Sequence, residues 1–318
     1  MGSEKKRGPF FWVLVCALLW GTAFPGLKTV YRIWEGQGLA LGLPLLCLYA
    51  GIRFVAAGAA LLMRGGNWRQ EFEETPWRPL AAMTFGQTFF QYVFFYQAIA
   101  VANAGLASLL VGTGSFWWVC LAPLIAKTPW PSGKQWLALL LGGIGGMLAV
   151  YSPGVQDGEP LLGAAFMLAA TGCGAVGLIY FRKVGKTMSS VNATGLSLLI
   201  GGAGLCLVGA GELKMIPVMF ESPLVIGITM WLALVSAVAF SLWNSLSRRY
   251  PVPLLASYRF LIPLCGILEA FLLLGGDWPG GLFWIGAAMV LAAAVLVRTW
   301  GELEREGTDA GSARSDGR

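Results

Sequence analysis

Histidine is absent from the 318 residues, and charged residues make up only 12% of them. Without histidine, the chain lacks the commonest metal ligand and the side chain that titrates near neutral pH. Soluble domains contain about 25% charged residues, so the low charge indicates lipid as the solvent. The cysteines form no CxxC pair or other metal-binding spacing. We interpret all six as small buried apolar side chains: Cys16, Cys47, Cys120, Cys173, Cys206 and Cys265.

The motifs of enzymes and of ATP-driven machines are also missing from the sequence. It contains no P-loop, no HExxH and no GxSxG in a strand–turn–helix setting. We therefore predict no enzyme activity and no cofactor, and the chain cannot use ATP by itself. The net charge of +6 does not indicate nucleic-acid binding, because the basic residues are scattered over many loops.

Ten long apolar stretches, separated by short hydrophilic breaks, account for nearly the whole chain. A bilayer core about 30 Å thick needs roughly 20 apolar residues per helix. The sequence therefore predicts an all-α polytopic membrane protein with ten transmembrane helices. The predicted spans are 11–29, 41–63, 80–101, 104–126, 135–151, 161–181, 191–211, 224–246, 254–274 and 282–297.

Lysine and arginine concentrate in every second hydrophilic break. With the N-terminus inside, the inner segments hold seventeen of the 22 basic residues and the outer segments hold three, while Arg53 and Arg259 fall within spans. Because positively charged loops stay in the cytoplasm, both termini are predicted to be cytoplasmic. The basic start runs into a full-length apolar stretch without a cleavage site, so we interpret it as an uncleaved first span.

The two halves of the chain share short motifs. The tripeptide Leu-Ala-Ser opens the fourth span at 106–108 and the ninth at 255–257. The dipeptide Trp-Pro precedes the fifth span at 130–131 and the tenth at 278–279. The matching order of these motifs indicates an internal repeat.

Each half contains five spans, and an odd number means that the second half is inverted relative to the first. Inverted repeats are typical of alternating-access carriers. We predict a first five-helix repeat over 1–151, a second, inverted repeat over 152–300, and a disordered cytoplasmic tail over 301–318.

Several stretches resemble the EamA-type carriers of the drug/metabolite transporter superfamily. A Trp-Gly pair, followed by a lysine eight residues after the tryptophan, lies at 20–28, and an Arg-Phe pair lies at 53–54. The junctions of spans three and four, at 96–110, and of spans eight and nine, at 236–263, add further likeness. The resemblance extends to about Trp300. The Gly-Glu that the family often has after spans four and nine is replaced by Lys-Thr and Gly-Asp.

The resemblance implies an alternating-access carrier of small metabolites, often an exporter of amino acids or related compounds. It also implies a multi-pass protein of the cell inner membrane. The expected partners are a small-molecule substrate and the lipid bilayer, with no nucleic acid. The family transports varied substrates, so the resemblance names none for this chain.

Charged residues within spans are functional candidates, because a charge at the bilayer centre costs about 3 kcal/mol or more. Arg53 lies in the second span, and Arg259 and Glu269 lie in the ninth. Either arginine is a candidate anchor for a carboxylate or phosphate, and Glu269, the only acid within a span, is the candidate for proton coupling. Alternatively, the arginines bind helix carbonyls or extend to the interface, and Glu269 pairs with a neighbouring helix.

The third span carries a polar stripe at helical spacing. Gln87 and Gln91 are its centre, and their amides can both donate and accept hydrogen bonds to a polar ligand. Hydrogen bonds between helices are the alternative. The stripe continues at both ends with Thr84, Phe94 or Phe95, and Ala98.

Aromatic residues deep in the spans are further candidates for substrate contact, with plain packing as the alternative. Trp20, Phe24 and Trp118 are predicted walls of a cavity. Trp243 and Tyr258, toward the inner ends of their spans, either bind substrate or anchor the interface. Pro25 and Pro263 are predicted to interrupt spans one and nine.

Glycines in the fifth span form a small-residue face that includes Gly142 and Gly146. Such faces allow close helix packing, either within the bundle or in a homodimer. We favour packing within the bundle.

Three other functions are weighed against a metabolite exporter. An organic-anion or sugar-phosphate exchanger is disfavoured by the scarcity of lysine and arginine within spans. A membrane enzyme acting on lipids would need clustered polar catalytic groups near the headgroups, and the sequence contains none. A structural membrane protein without cargo is the third alternative.

Overall fold

A computed structural model gives the fold and describes residues 9–127, 130, 132–152, 158–250, 261–275, 280–293, 295–296 and 299. The secondary structure of these residues is helical, without strands. The α-helices are α1 (Pro9–Gly21), α2 (Ala23–Gly36), α3 (Leu43–Arg64), α4 (Trp68–Glu74), α5 (Trp77–Thr84), α6 (Gln91–Val101), α7 (Ala104–Val111), α8 (Gly114–Ala126), α9 (Gly133–Val150), α10 (Pro160–Val184), α11 (Ser190–Val208), α12 (Ile216–Met219), α13 (Pro223–Arg249), α14 (Leu261–Leu274) and α15 (Gly281–Ala293).

Five of the described helical segments are long and apolar enough to cross a membrane, or six if a bent pair counts as one span. The five are Pro9–Gly36, Leu43–Arg64, Pro160–Val184, Ser190–Val208 and Pro223–Arg249. The chain is therefore an all-helical, polytopic membrane protein. Helices also cover the described parts of the other predicted spans, but they are shorter or interrupted, and the ten-helix layout in two repeats stays a prediction.

The first predicted span is one long segment, Pro9–Gly36, which is interrupted only by a single turn residue, Thr22, between α1 and α2. Pro25 has no N–H to bond the carbonyl of Gly21, which weakens the helix at this point. The Thr22 hydroxyl donates to the carbonyl of Leu19 at 2.7 Å and accepts from Nε1 of Trp231 at 2.9 Å. The interruption predicted from Pro25 is thus present and is stabilised by side-chain hydrogen bonds.

The third and fourth predicted spans are also irregular. In the third, a π-helix over Phe85–Phe90 joins α5 to α6. In the fourth, the segments Ala104–Trp118 and Cys120–Ala126 meet at 42°. Pro123 lies inside α8 and cannot bond the carbonyl four residues earlier, which accounts for the bend at residue 119.

Several polar side chains are buried in the bundle, and many large apolar side chains are exposed on its outer face as well as packed in its core. Met63, Leu207 and Leu272 are 83%, 77% and 71% exposed, whereas Arg53 is only 3% exposed. A soluble protein rarely exposes extended apolar surface. The distribution therefore fits a bundle whose outer face is solvated by lipid.

Helices from the two halves of the sequence pack against each other in pairs. The first span contacts the eighth and the third contacts the sixth, through α1 with α13 and α6 with α10. The second span contacts the seventh and the fourth contacts the ninth, through α3 with α11 and α7 with α14. A Cβ at Gly145 of α9 would lie 2.7 Å from the carbonyl oxygen of Gly286 in α15, so the fifth and tenth spans also touch.

Glycines make the closest of these approaches possible. A Cβ at Gly51 of α3 would lie 2.7 Å from the carbonyl oxygen of Gly202 in α11. A Cβ at Gly142 of α9 would collide with the ring of Phe116 and approach Ala293 within the same chain. The small-residue face of the fifth span therefore packs inside the bundle at Gly142.

Hydrogen bonds between the connecting segments join loops that were predicted to lie on the same side of the membrane. Gln37 donates to Glu221 at 3.3 Å between two predicted outer loops. Glu71, in the predicted inner loop after the second span, accepts from the backbone N–H of Ser189 at 2.8 Å, in the inner loop before the seventh span, and from Nδ2 of Asn192 at 2.9 Å, at the start of that span.

Candidate functional site

A cavity of about 90 Å³ lies inside the bundle. One buried water needs roughly 10–15 Å³ measured in the same way, so the cavity has room for a small organic molecule or several waters. Its walls come from both halves of the sequence. The lining residues are Trp20, Ala23, Phe24, Arg53, Gln87, Gln91, Tyr92, Phe95, Val111, Gly174, Leu178, Val235, Ser236, Phe240, Trp243 and Ile262.

Besides Arg53, five of the eight other predicted substrate contacts line this cavity together. They come from four parts of the chain, namely α1, α2, the third span and α13. The fold therefore brings side chains that are distant in sequence into one site, although their role in binding remains a proposal. The five are Trp20, Phe24, Gln87, Gln91 and Trp243.

The remaining predicted contacts are placed differently. Trp118 is half-buried beside the bend of the fourth span and does not line the described cavity, which only Val111 reaches from that span. Tyr258 and Arg259 lie outside the described residues. Their proposed roles stay predictions.

The π-helix sets the position of the two glutamines. Gln87 lies within the π-helix and Gln91 begins α6. A π-turn takes one more residue than an α-turn, and such turns are frequent at functional sites. The extra residue turns Tyr92 toward the same side, so that the third span contributes Gln87, Gln91, Tyr92 and Phe95 to the cavity.

Glycines of α10 let the glutamine-bearing segment approach closely. A Cβ at Gly177 would lie 2.5 Å from the backbone N of Gln87, and one at Gly174 would collide with Oε1 of Gln91. No hydrogen-bond partner for either glutamine side chain is found among the described residues. Their amides are therefore free to serve a ligand in the cavity.

Arg53 is the one charged residue among the described residues that line the cavity. Its guanidinium carbon lies 4.4 Å from the ring centroid of Phe54, 5.5 Å from that of Tyr96 and 5.9 Å from that of Tyr92. These distances are within the range of cation–π attraction. Nε of Arg53 is buried without a hydrogen-bond partner, and no described carboxylate pairs with the guanidinium.

Aromatic rings form a continuous wall around the rest of the cavity. Trp20 lies 5.3 Å from Phe240 and 5.6 Å from Trp243, measured between ring centroids. Phe24 lies 5.7 Å from Phe95. Edge-to-face and tilted contacts of this kind stabilise the wall. The indole N–H of Trp20 is buried and has no hydrogen-bond partner within the described structure.

Glu269 does not line the cavity but lies next to its wall. A Cβ at Gly21 would lie only 2.6 Å from Oε2 of Glu269, so the carboxyl group packs against the break between α1 and α2. Oε2 is buried and has no hydrogen-bond partner in the described part of the chain. The carboxyl group is therefore adjacent to Trp20 along the backbone of the first span.

Several residues that line the cavity were not predicted from the sequence as substrate contacts. The stripe left Phe94 and Phe95 as alternatives, and the structure places Phe95 at the cavity while Phe94 stacks on Phe166 at 6.4 Å. Tyr92 was missed because a regular α-helix was assumed for the third span. Phe240 lies one turn before Trp243, and this aromatic spacing was a signal that could have indicated it.

Comparisons with known proteins support a membrane transporter. The chain is 26% identical over 311 residues to a protein of Salmonella typhimurium named "Probable amino-acid metabolite efflux pump", covering 92% of this chain and 93% of the relative. A protein of Escherichia coli with the same name is 26% identical, covering 94% of this chain and 97% of the relative. An uncharacterized transporter of Synechocystis is 27% identical, covering 91% and 87%.

No family model matches the chain. A solved crystal structure, described only as that of a protein, superimposes with a TM-score of 0.56 and covers 90% of this chain and 96% of its own, at 18% identity. This likeness supports the fold alone. The relatives, all named as transporters, confirm the resemblance to EamA-type carriers of the drug/metabolite transporter superfamily.

Proposed function

We propose that the chain is a ten-helix exporter of amino acids or related small metabolites in the cell inner membrane, with both termini cytoplasmic. The observation that carries this proposal is the internal cavity, whose walls come from both predicted repeats. A carrier that exposes one site alternately to two sides needs such a site between two units that can move.

The packing of the helices supports two repeats that work by alternating access. Spans one to five of the first repeat correspond to spans six to ten of the second. If each span is replaced by its counterpart, the contact between spans one and eight becomes the contact between spans six and three. The same exchange leaves the pairs two–seven and four–nine unchanged. This pattern is what a two-fold relation between inverted repeats produces. The hydrogen bonds between loops of the same predicted side agree with the proposed topology.

The proposed substrate contacts divide by chemistry. Gln87 and Gln91 provide amide donors and acceptors, and Trp20, Phe24 and Trp243 provide aromatic walls. Both kinds of contact suit a small molecule that is polar at one end and apolar at the other. The names of the two enterobacterial relatives support amino acids or their relatives as cargo.

Exchange of radiolabelled amino acids by the purified protein in liposomes tests the proposal. We expect counterflow of at least one amino acid, and its loss in Trp20→Ala and Gln91→Ala. The exposed residues Trp77 and Gln70 provide matched controls, because Trp77→Ala and Gln70→Ala remove the same side chains away from the cavity. Equal loss in the controls, or no exchange of any amino acid by the folded protein, would count against the proposal.

A further inference from the structure

The described lining of the cavity carries a positive charge without a negative one. Among its described lining residues there is one cation, Arg53, and no aspartate, glutamate or lysine. The side chain of Arg53 is 3% exposed, so its charge is removed from water. A buried charge without a partner costs several kcal/mol unless another group compensates it.

The protein compensates this charge only in part. Three aromatic rings surround the guanidinium within 5.9 Å, and their faces attract the cation. Such cation–π contacts attract a desolvated cation more strongly than one that is exposed to water. They leave the N–H donors unused, however, because a ring face does not replace a hydrogen-bond acceptor such as a carboxylate. Nε has no acceptor in the described structure.

We propose that Arg53 binds the carboxylate of a substrate that carries a single negative charge at that end and an apolar or aromatic body. This assignment rests on the proposed carrier function and names its substrate class. The planar guanidinium matches a carboxylate with two parallel hydrogen bonds. The buried indole N–H of Trp20 and the glutamine amides offer further donors around the same cavity.

The same site disfavours the competing substrate classes. A phosphate ester carries close to two negative charges at neutral pH, and one described cation does not balance them in a site of low dielectric. A cationic drug would meet the positive charge of Arg53 without a described carboxylate to offset it. The aromatic wall of Trp20, Phe24, Phe240 and Trp243 suits the apolar body of the ligand.

Binding of matched analogues to the full-length protein in detergent tests the assignment without any mutation. The probes are L-phenylalanine, 3-phenylpropionate, L-phenylalaninamide, phenethylamine and glucose 6-phosphate, each followed by thermal shift and calorimetry. We expect both carboxylates to bind at least tenfold more tightly than the amide and the amine, and the sugar phosphate not to bind. Equal affinity for L-phenylalanine and its amide would overturn the assignment.

Substitution of the arginine provides the second test. We expect Arg53→Gln to weaken carboxylate binding at least tenfold and to leave phenylalaninamide unaffected, and Arg53→Lys to keep part of the preference through its charge. Arg64→Gln, at the exposed end of the same helix, is the control. A preference for carboxylates that survives in folded Arg53→Gln would overturn the role of Arg53.

The outcome also separates this inference from the carrier function. If the protein binds or exchanges amines or phosphates instead of carboxylates, the assignment of Arg53 is wrong and a carrier remains. If none of the probes binds while other amino acids exchange in liposomes, the aromatic monocarboxylate class is wrong and the carrier stands. If no probe binds and no metabolite is exchanged, both proposals fail.

Discussion

At the scale of single residues, the polar groups within the bundle differ in what surrounds them. The hydroxyls of Thr88 and Ser197 bond each other at 2.7 Å, and Nδ2 of Asn244 donates to Thr194 at 2.8 Å. Such pairs tie helices together, although Oδ1 of Asn244 is buried without a described partner. Arg53 and Glu269 also keep buried polar atoms without described partners, but their side chains can carry a charge, and an unpartnered charged group is more costly to bury than a neutral one.

Glu269 is expected to couple transport to protons. Its carboxyl group packs at Gly21 beside the interruption of the first span, and Cys265 lies one turn earlier on the same helix. Protonation would remove a charge from the bilayer interior and change the contact at the break. We expect Glu269→Gln to abolish the acceleration of substrate efflux by an inward proton gradient in liposomes, while counterflow without a gradient persists.

The control for this prediction is Glu221→Gln, since Glu221 is exposed in a predicted outer loop. It should respond to the gradient like the unmodified protein. A Glu269→Gln protein that still accelerates under the gradient would show that the coupling lies elsewhere, and a loss of counterflow as well would indicate a structural role.

At the scale of elements, glycine decides how closely the helices approach. A Cβ at Gly58 of α3 would lie 2.5 Å from the backbone N of Leu199 and 2.7 Å from the carbonyl oxygen of Gly195 in α11. Neighbouring backbone cannot move aside as a flexible side chain can. The α3–α11 contact therefore depends on the absence of a side chain at this position.

We expect Gly58→Ala to destabilise the protein by about 1–3 kcal/mol, as overpacking in a close-packed interior does. Gly143→Ala in α9 is the matched control, because nothing lies within 4 Å of a Cβ there and alanine favours the helix by about 1 kcal/mol. The measurement is the apparent melting temperature of both variants in detergent. Equal melting temperatures would show that α3 and α11 are not packed as closely as described.

The irregular helices were only partly predictable from the sequence. Pro25 and Pro123 are visible as residues that cannot donate a backbone hydrogen bond, and breaks occur near both. The π-helix over Phe85–Phe90 has no such local signal. It depends on α10, whose Gly177 admits the backbone of Gln87 at close range.

At the scale of the whole molecule, the loops that bond each other are loops that were predicted to lie on the same side of the membrane. Gln37 and Glu221 bond each other between two predicted outer loops, and Glu71 of a predicted inner loop bonds Ser189 of another inner loop and Asn192 at the start of the seventh span. The bias of basic residues and the contacts between loops are independent observations. The contacts support which loops lie on the same side, and the bias of basic residues predicts which of the two sides is cytoplasmic.

Labelling of single cysteines tests this orientation in a cysteine-free protein that still transports. A membrane-impermeant maleimide should label Glu221→Cys on intact cells, because the loop is predicted to be outside. Gly66→Cys, in the predicted inner loop after α3, should react only after the cells are permeabilised. The reverse labelling pattern would invert the proposed topology.

The sequence by itself indicated that the protein is solvated by lipid, and it located the apolar stretches and the candidate polar and aromatic residues. It could do so because hydropathy and charge are properties of short segments. Only the tertiary structure decided that Trp20, Gln91 and Trp243 meet Arg53 around one cavity and that Trp118 does not. Which faces of the helices meet depends on contacts between segments more than a hundred residues apart, such as Gly51 with Gly202. A periodic pattern shows that a helix has an inward face, but the packing of its neighbours decides what that face meets.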